Sequence, residues 1–213
     1  MKNLSIALAL ATAAAFSGCA TPQRSRALNN PATPPVTIAQ QVCSNCHGID
    51  GNSVSPNFPR LAAQQPAYTI EQLTSFRTHH RSDPAGFEYM WGLSRHLTDG
   101  QIKGLAEYFA AQAPAPNPAV NAALAERGRD VFEHGVPAKS IPPCASCHGD
   151  HGQGNGTFPR LAGQHSDYVV KQLLVFQRTD ERPEGAVMKT VAHLLTRDNM
   201  QAVAEYVQGI PAR

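Results

Sequence analysis

Cys43, Cys46 and His47 stand together in CSNCHG (43–48), and Cys144, Cys147 and His148 stand together in CASCHG (144–149). Thiols and imidazoles build zinc clips, redox dithiols and covalent haem anchors, so spacing and surroundings have to choose among them. A closed zinc site takes four ligands, and one such motif offers three. A four-thiolate site shared by both pairs conflicts with their standing at equivalent places in two copies of one domain. A thioredoxin-like dithiol wants a βαβ surround, of which the sequence shows no sign. A disulfide across two residues leaves the adjacent histidine unexplained. Haem c accounts for every side chain. On one helical turn, residues i, i+3 and i+4 share a face. Two sulfurs can therefore hold the porphyrin edge by thioether bonds while the imidazole meets the iron. Two motifs predict two covalently bound haem c groups.

An iron that only passes electrons needs both axial positions filled. Candidates after His47 are His79, His80, Met90 and His96; after His148 they are Met188, His193 and Met200. An internal repeat discriminates among them. NFPRLAAQQPAYTIEQLTSF (57–76) matches TFPRLAGQHSDYVVKQLLVF (157–176), and LTDGQIKGLAEYF matches LTRDNMQAVAEYV. The offset is 101 residues at the cysteines, 100 at FPRLA and 98 at the closing segments. Met90 and Met188 each fall eight residues before Thr98 and Thr196, the equivalent threonines of those segments. Met200 aligns with Ile102 and reads as core, while His79 and His80 have no histidine counterpart and read as solvent-facing. His–Met ligation of both irons is the expectation, with a higher reduction potential than two histidines would give.

The elements that position these residues read as short helices between long loops. Seventeen prolines and sixteen glycines accompany few runs of strand-like alternation. Thr98 and Gln101 have the spacing of a capping box, followed by Ile102, Leu105, Ala106 and Phe109 on one face. The second copy repeats that face with Met200, Val203, Ala204 and Val207. Ser166 or Asp167 is expected to cap a helix through Phe176 that buries Val169, Leu173 and Phe176. Val36 to Val42 and Ala119 to Glu133 read as the helices leading into the two cysteine motifs. The fold class is all-α, in two tandem domains. Each is small enough that a haem gives its loops something large to fold around.

Five divisions follow. Residues 1–19 are a signal peptide, 20–35 a polar, proline-rich tether, 36–112 the first domain, 113–120 a proline-rich linker and 121–213 the second domain. Phe16-Ser17-Gly18-Cys19 resembles a bacterial lipobox, which would leave a lipid on Cys19 as the mature N-terminus; ordinary cleavage after Ala20 is the other reading. A lipid there resolves the odd count of five cysteines. Alanine rather than aspartate after Cys19 points to the outer membrane. The net charge is only +2 and no basic stripe with interleaved aromatics occurs, which excludes nucleic acid as a partner class.

With these residues in place, the chain resembles the dihaem cytochrome c4 family over residues 36–210. The resemblance is carried by the two CxxCHG motifs, by FPRLA with Gln64 or Gln164, Tyr68 or Tyr168 and QL after it, and by the late methionines. It implies tandem class I cytochrome c domains, two His–Met haems and single-electron transfer in the periplasm. The implied donor is a quinol-oxidising complex or a dehydrogenase, and the acceptor a terminal oxidase or reductase. It further implies that the carbonyls of Pro59 and Pro159 orient His47 and His148. Arg60 and Arg160 stand where they pair with haem propionates or lie solvated. Tyr68, Tyr168 and Trp91 touch the haem or pack in the core. Ala63 in place of Gly163, and a longer loop before Met90, are departures that bear on the first haem's exposure and potential. The rival readings are an electron-acceptor subunit of a dehydrogenase, as in flavocytochromes, and a dihaem peroxidase or sensor with an open iron site.

Overall fold

The computed structural model describes residues 28–84 and 86–211, so the expected signal peptide and Cys19 lie outside the described residues. The first domain holds α1 (Pro35–Ile38), α2 (Ser44–His47), α3 (Pro66–Arg77), α4 (Trp91–Ser94) and α5 (Asp99–Ala110). The second holds α6 (Ala122–His134), α7 (Ala145–His148), α8 (Ser166–Arg178), α9 (Ala186–Ala192) and α10 (Arg197–Gly209). No strand occurs among the described residues; the nearest approach is two isolated bridges, Val136 with Ile141 and Asn155 with Phe158. No helix among them is long and apolar enough to cross a membrane.

Proline at the first helical position of α1 is already in helical φ and lacks only an N–H that would be unpaired there. The chain then runs through a π turn, Ala39–Cys43, directly into α2, so the first cysteine motif hangs on a continuous helical segment. α5 packs against α1 and α3, burying Ile102, Leu105, Ala106 and Phe109 with Ile38 and Leu97. In the second domain α10 packs against α6 and α8, with Met200, Val203, Ala204 and Val207 buried against Val131 and Phe132. Met200 is fully enclosed, which makes it a core side chain.

Both closing helices start in a reciprocal capping box. Thr98 accepts from Gln101 N while Gln101 answers to Thr98 N, and Thr196 does the same with Asn199. The α8 terminus departs from expectation. Its N-cap is His165, without a side-chain cap, and neither Ser166 nor Asp167 serves as one. Ser166 N instead donates to Gln208 Oε1 at 2.9 Å, so an acceptor from α10 satisfies the terminus that a local hydroxyl was expected to serve. α6 begins at Ala122 rather than Ala119 because Asn121 Oδ1 accepts from Leu124 N at 3.1 Å and sets the cap there.

The connecting segments are held rather than loose. Gln101 Nε2 donates to Asn30 O and Thr33 O, fixing the end of the expected tether on the first domain. Asn52 binds Ala113 O and Ala115 N, and Asn117 Nδ2 donates to Ile210 O, so the 113–120 linker is tied to both domains.

Candidate functional site

Each cysteine motif closes a helix at a glycine with positive φ, Gly48 at +79° and Gly149 at +81°. An added Cβ at Gly48 would come within 3.0 Å of Asn52 O, so the turn has no room for a side chain. Past the turn, Gly51 O accepts from Leu61 N and Ala62 N, and Gly152 O accepts from Leu161 N and Ala162 N. These bonds fold the FPRLA segment back over the motif. They bring Pro59 O to 2.9 Å from His47 Nδ1 and Pro159 O to 2.9 Å from His148 Nδ1. A proline carbonyl only accepts, so Nδ1 must carry the proton and donate. Both rings are buried, and burial pushes their pKa below the usual histidine value despite the opposing hydrogen bond. A neutral ring protonated at Nδ1 leaves the lone pair of Nε2 for a metal. Phe58 and Phe158 stand edge-on to the two rings, with centroids 6.2 and 6.3 Å away.

None of the four described cysteines is joined to another in a disulfide. Burial pushes the Cys43 thiol up to about 12 and the Cys144 thiol up to about 11. No group of three or more His, Cys, Asp or Glu able to hold a metal ion occurs among the described residues. Met90 ends a π turn (Gly86–Met90), and its carbonyl accepts from Ser94 Oγ at 2.7 Å. Met188 lies in α9, half-buried against the same core as Cys144, Leu161 and Leu174. The equivalent methionines therefore arrive on different local frames, a π turn in one domain and an α-helix in the other. His79 and His80 are exposed, although the His79 ring packs tilted against Trp91 at 4.3 Å, and the Arg95 guanidinium lies over the same Trp91 ring at 5.1 Å.

The two domains meet across a pseudo-twofold arrangement of polar groups. Gln64 Oε1 accepts from Arg160 N and its Nε2 donates to Arg160 O; Gln164 makes the same two bonds to Arg60 N and O. Deeper in, Arg81 donates to Gln72 Oε1 at 2.6 Å and Gln172 Oε1 at 3.1 Å. Arg182 donates to the same two oxygens, at 2.8 and 2.6 Å respectively, and to Tyr68 OH at 3.3 Å. Arg81 pairs with Asp83 at 2.7 Å, Arg182 with Glu184 at 3.1 Å, and each guanidinium lies over a phenylalanine, Phe76 or Phe176. Burial works to lower the Arg81 pKa, but Tyr168, Asp83 and Tyr68 outweigh it and hold the cation charged.

Tyr68 and Tyr168 thus belong to the domain interface, and Arg60 and Arg160 are not solvated surface arginines. Sequence reasoning passed over Arg81, Arg182, Asp83 and Glu184. The signal was present: both pairs repeat at the cysteine offset of 101 residues.

His165 Nε2 donates to Ser53 O at 2.8 Å across this interface, where the first domain has Gln65 bonding to Gln153 O. Burial lowers its pKa, with Arg60 acting in the same direction. A histidine held neutral in the fold is easier to protonate unfolded, so its stabilisation is present above the unfolded value of 6.5 and is lost as pH falls toward the folded value. His165→Gln is expected to flatten the acid side of a stability-versus-pH curve measured by denaturant unfolding. An unchanged slope would place the acid sensitivity elsewhere.

The donor set fits a c-type haem. Two thiols and a neutral imidazole share one helical turn in each domain, a methionine stands at the matched later position, and buried arginine nitrogens wait without acceptors. Comparison with known proteins agrees. The cytochrome c family model matches residues 36–112 and 125–211. Cytochrome c4 of Azotobacter vinelandii is 35% identical over 178 residues, 79% of this chain and 84% of that protein. A thiosulfate dehydrogenase electron acceptor of Stutzerimonas stutzeri (strain A1501) is 34% identical over 184 residues, 81% of this chain and 80% of that protein. The crystal structure of reduced cytochrome c4 from Pseudomonas stutzeri superposes with a TM-score of 0.74 at 32% identity, covering 85% of this chain and 99% of that one. The two cysteine motifs, their tandem helical domains and these likenesses lead to one conclusion: the chain belongs to the cytochrome c family as a dihaem cytochrome of the c4 type, an electron-transfer protein with two covalently bound haem c groups.

Proposed function

We propose that the chain is exported and works in the periplasm as a single-electron carrier whose irons are ligated by His47 with Met90 and by His148 with Met188. Cys43 and Cys46, and Cys144 and Cys147, form the thioether bonds. Bound haem supplies the one-electron ferric–ferrous couple. The observation that carries the reading is the pair of 2.9 Å bonds from His47 and His148 to Pro59 and Pro159 carbonyls. They fix each ring's tautomer and direction, and an axial ligand held this way has little freedom to move when the iron charge changes. The cytochrome c4 likeness supports exchange with a quinol-oxidising complex and a terminal oxidase or reductase. A lipid on Cys19 would hold the carrier at the outer membrane; mass spectrometry of the mature N-terminus tests it, and an unmodified N-terminus beyond residue 19 rejects it.

Met188→Ala tests the ligand set. The second-domain haem is expected to lose its methionine spectrum, bind carbon monoxide when reduced and show a lower potential. An unchanged spectrum and potential at that haem would remove Met188 from the ligand set. Carbon monoxide binding by the reduced wild-type protein without denaturant would instead favour the open-site peroxidase or sensor reading.

A second reading has its own support. Likeness to a thiosulfate dehydrogenase electron acceptor over most of both chains favours service as the haem-bearing acceptor subunit of a dehydrogenase. Stable co-purification with a catalytic chain separates this from a free carrier; a monodisperse single chain in gentle extracts counts against it.

A further inference from the structure

The segment that carries each methionine is tied to the same place in its domain, but by different chemistry in the two copies. Trp91 follows Met90, and Lys189 follows Met188. His79 stands two residues before Arg81, and Asp180 two before Arg182, the arginines that repeat across the domain interface. In the first domain the Trp91 ring packs against His79 at 4.3 Å between centroids, and Phe87 lies against His79 at 5.9 Å. In the second domain Lys189 Nζ donates to Asp180 Oδ1. Each pair joins the methionine segment to the chain just beyond a long helix, α3 in one case and α8 in the other.

The first tie is compact. The Arg95 guanidinium lies over the Trp91 ring at 5.1 Å, and Arg95 N donates to Trp91 O at 2.9 Å, so cation and ring belong to one helical turn. His79 has φ +61°, a conformation that a residue with a side chain keeps only where its surroundings hold it. The second tie lies open to water, with Lys189 45% and Asp180 86% exposed. Salt screens an exposed ion pair, whereas rings in contact keep their attraction. The far end of each segment is fixed separately. Gln177 Nε2 donates to the carbonyls of Ala192, His193 and Leu195, and Arg77 Nη1 donates to Leu97 O.

We propose, on the His–Met ligation given above, that the two pairs are latches on the methionine segments. Trp91 with His79 is an aromatic latch that holds Met90, and Lys189 with Asp180 is an ionic latch that holds Met188. All four are positioning residues, acting on the iron through the methionine next in the chain. Because the far ends are fixed, opening is confined to the methionine end. Ionic strength then loosens Met188 and leaves Met90 in place. An added ligand that enters only when methionine has left binds with an affinity reduced by the fraction of sites that are open, so its apparent affinity reads the latch.

The test is titration of the ferric holoprotein with imidazole in mildly alkaline solution, where the probe is neutral and salt acts on the protein alone. It is run at about 0.01 M and about 1 M salt, between which the screening length falls from about 30 Å to about 3 Å. NMR follows the shifted methyl resonance of each iron-bound methionine, and Met188→Ala assigns the two. Raising salt is expected to tighten binding at the second-domain haem by about two- to fivefold, the span of an exposed ion pair, and to leave the first-domain haem unchanged. Lys189→Gln and Asp180→Asn should each show the high-salt affinity already at low salt. The exchanged pair, Lys189→Asp with Asp180→Lys, should restore the salt dependence. Trp91→Leu should tighten binding at the first-domain haem by about tenfold at both salt concentrations, through loss of the ring pair and of the ring beneath Arg95. Trp91→Phe should recover part of that. A second-domain affinity that ignores salt, or a salt dependence that survives in Lys189→Gln, overturns the ionic latch. A first-domain affinity unmoved by Trp91→Leu overturns the aromatic one. If Trp91→Leu does not accumulate with haem, Trp91→Phe decides: tighter binding than wild type supports the latch, and unchanged binding overturns it. Absence of both methionine resonances in the wild type overturns the ligand set itself, and the latches with it.

Discussion

Gly128→Ala is expected to lower the stability of the second domain by about 2 kcal/mol, an overpacking cost of about 3 kcal/mol offset in part by helix propensity. Gly128 lies in α6 where it crosses α10, and a Cβ there would sit 1.9 Å from Ala202 O, 2.4 Å from Ala202 C and 2.9 Å from Tyr206 Cβ. Two of these atoms are backbone of α10, so relief requires the helices to separate. Separation would disturb Met200, Val203 and Val207 in the core between them. Alanine's better helix propensity returns only about 1 kcal/mol. For a domain of this size the net loss of about 2 kcal/mol corresponds to a drop in Tm of roughly 8–16 °C, read from helix content and the haem absorption together. Gly100→Ala is the control. It lies in α5 with its nearest neighbour, Thr98 Oγ1, at 3.9 Å, and should be neutral to slightly stabilising. Equal melting of the two variants would mean that the α6–α10 crossing yields easily.

Removal of Asp83 should cost about 3–5 kcal/mol, because Arg81 would be left as a buried cation without its carboxylate. Asp83 has no exposed surface and Arg81 almost none. Arg81 also reaches Gln172 in the other domain, so its displacement loosens the deeper half of the interface. Calorimetry of Asp83→Ala is expected to show the first domain unfolding earlier and apart from the second, where the wild type melts as a more closely coupled pair. Combining Arg81→Met with Asp83→Ala should recover part of the loss, since no unpaired charge then remains. A double variant no better than Asp83→Ala would show that the cost lies in lost interdomain hydrogen bonds rather than in the stranded charge.

The local features were legible because their causes lie within a few residues. Thr98 and Gln101 stand three apart, and the cap they form needs nothing from elsewhere. Cys144, Cys147 and His148 share a helical turn through the period of the helix itself. The apolar stripe from Ile102 to Phe109 is buried as its spacing predicts. Where a cap depended on a distant group, local reasoning failed. Ser166 looks like the start of α8, yet Gln208, over forty residues on, satisfies its N–H. The repeat did identify Met90 and Met188 as equivalent, but not that one would sit on a π turn and the other in a helix.

The amino-acid order alone determined two covalent haem motifs, a duplicated all-helical domain and the apolar helix faces that each core is built on. Those follow from short-range geometry and from hydrophobic period, both written into neighbouring positions. Only the tertiary structure decided what joins the copies. Arg81 and Arg182 meet the same two glutamine oxygens, Gln64 and Gln164 each clamp the backbone of the opposite FPRLA segment, and Arg160 is buried where a solvated side chain was equally expected. These residues are about a hundred positions apart, and polar side chains carry no periodic signature of burial. Their partners exist only once the two domains face each other, because burial turns an ordinary surface arginine into a cation that must find an acceptor.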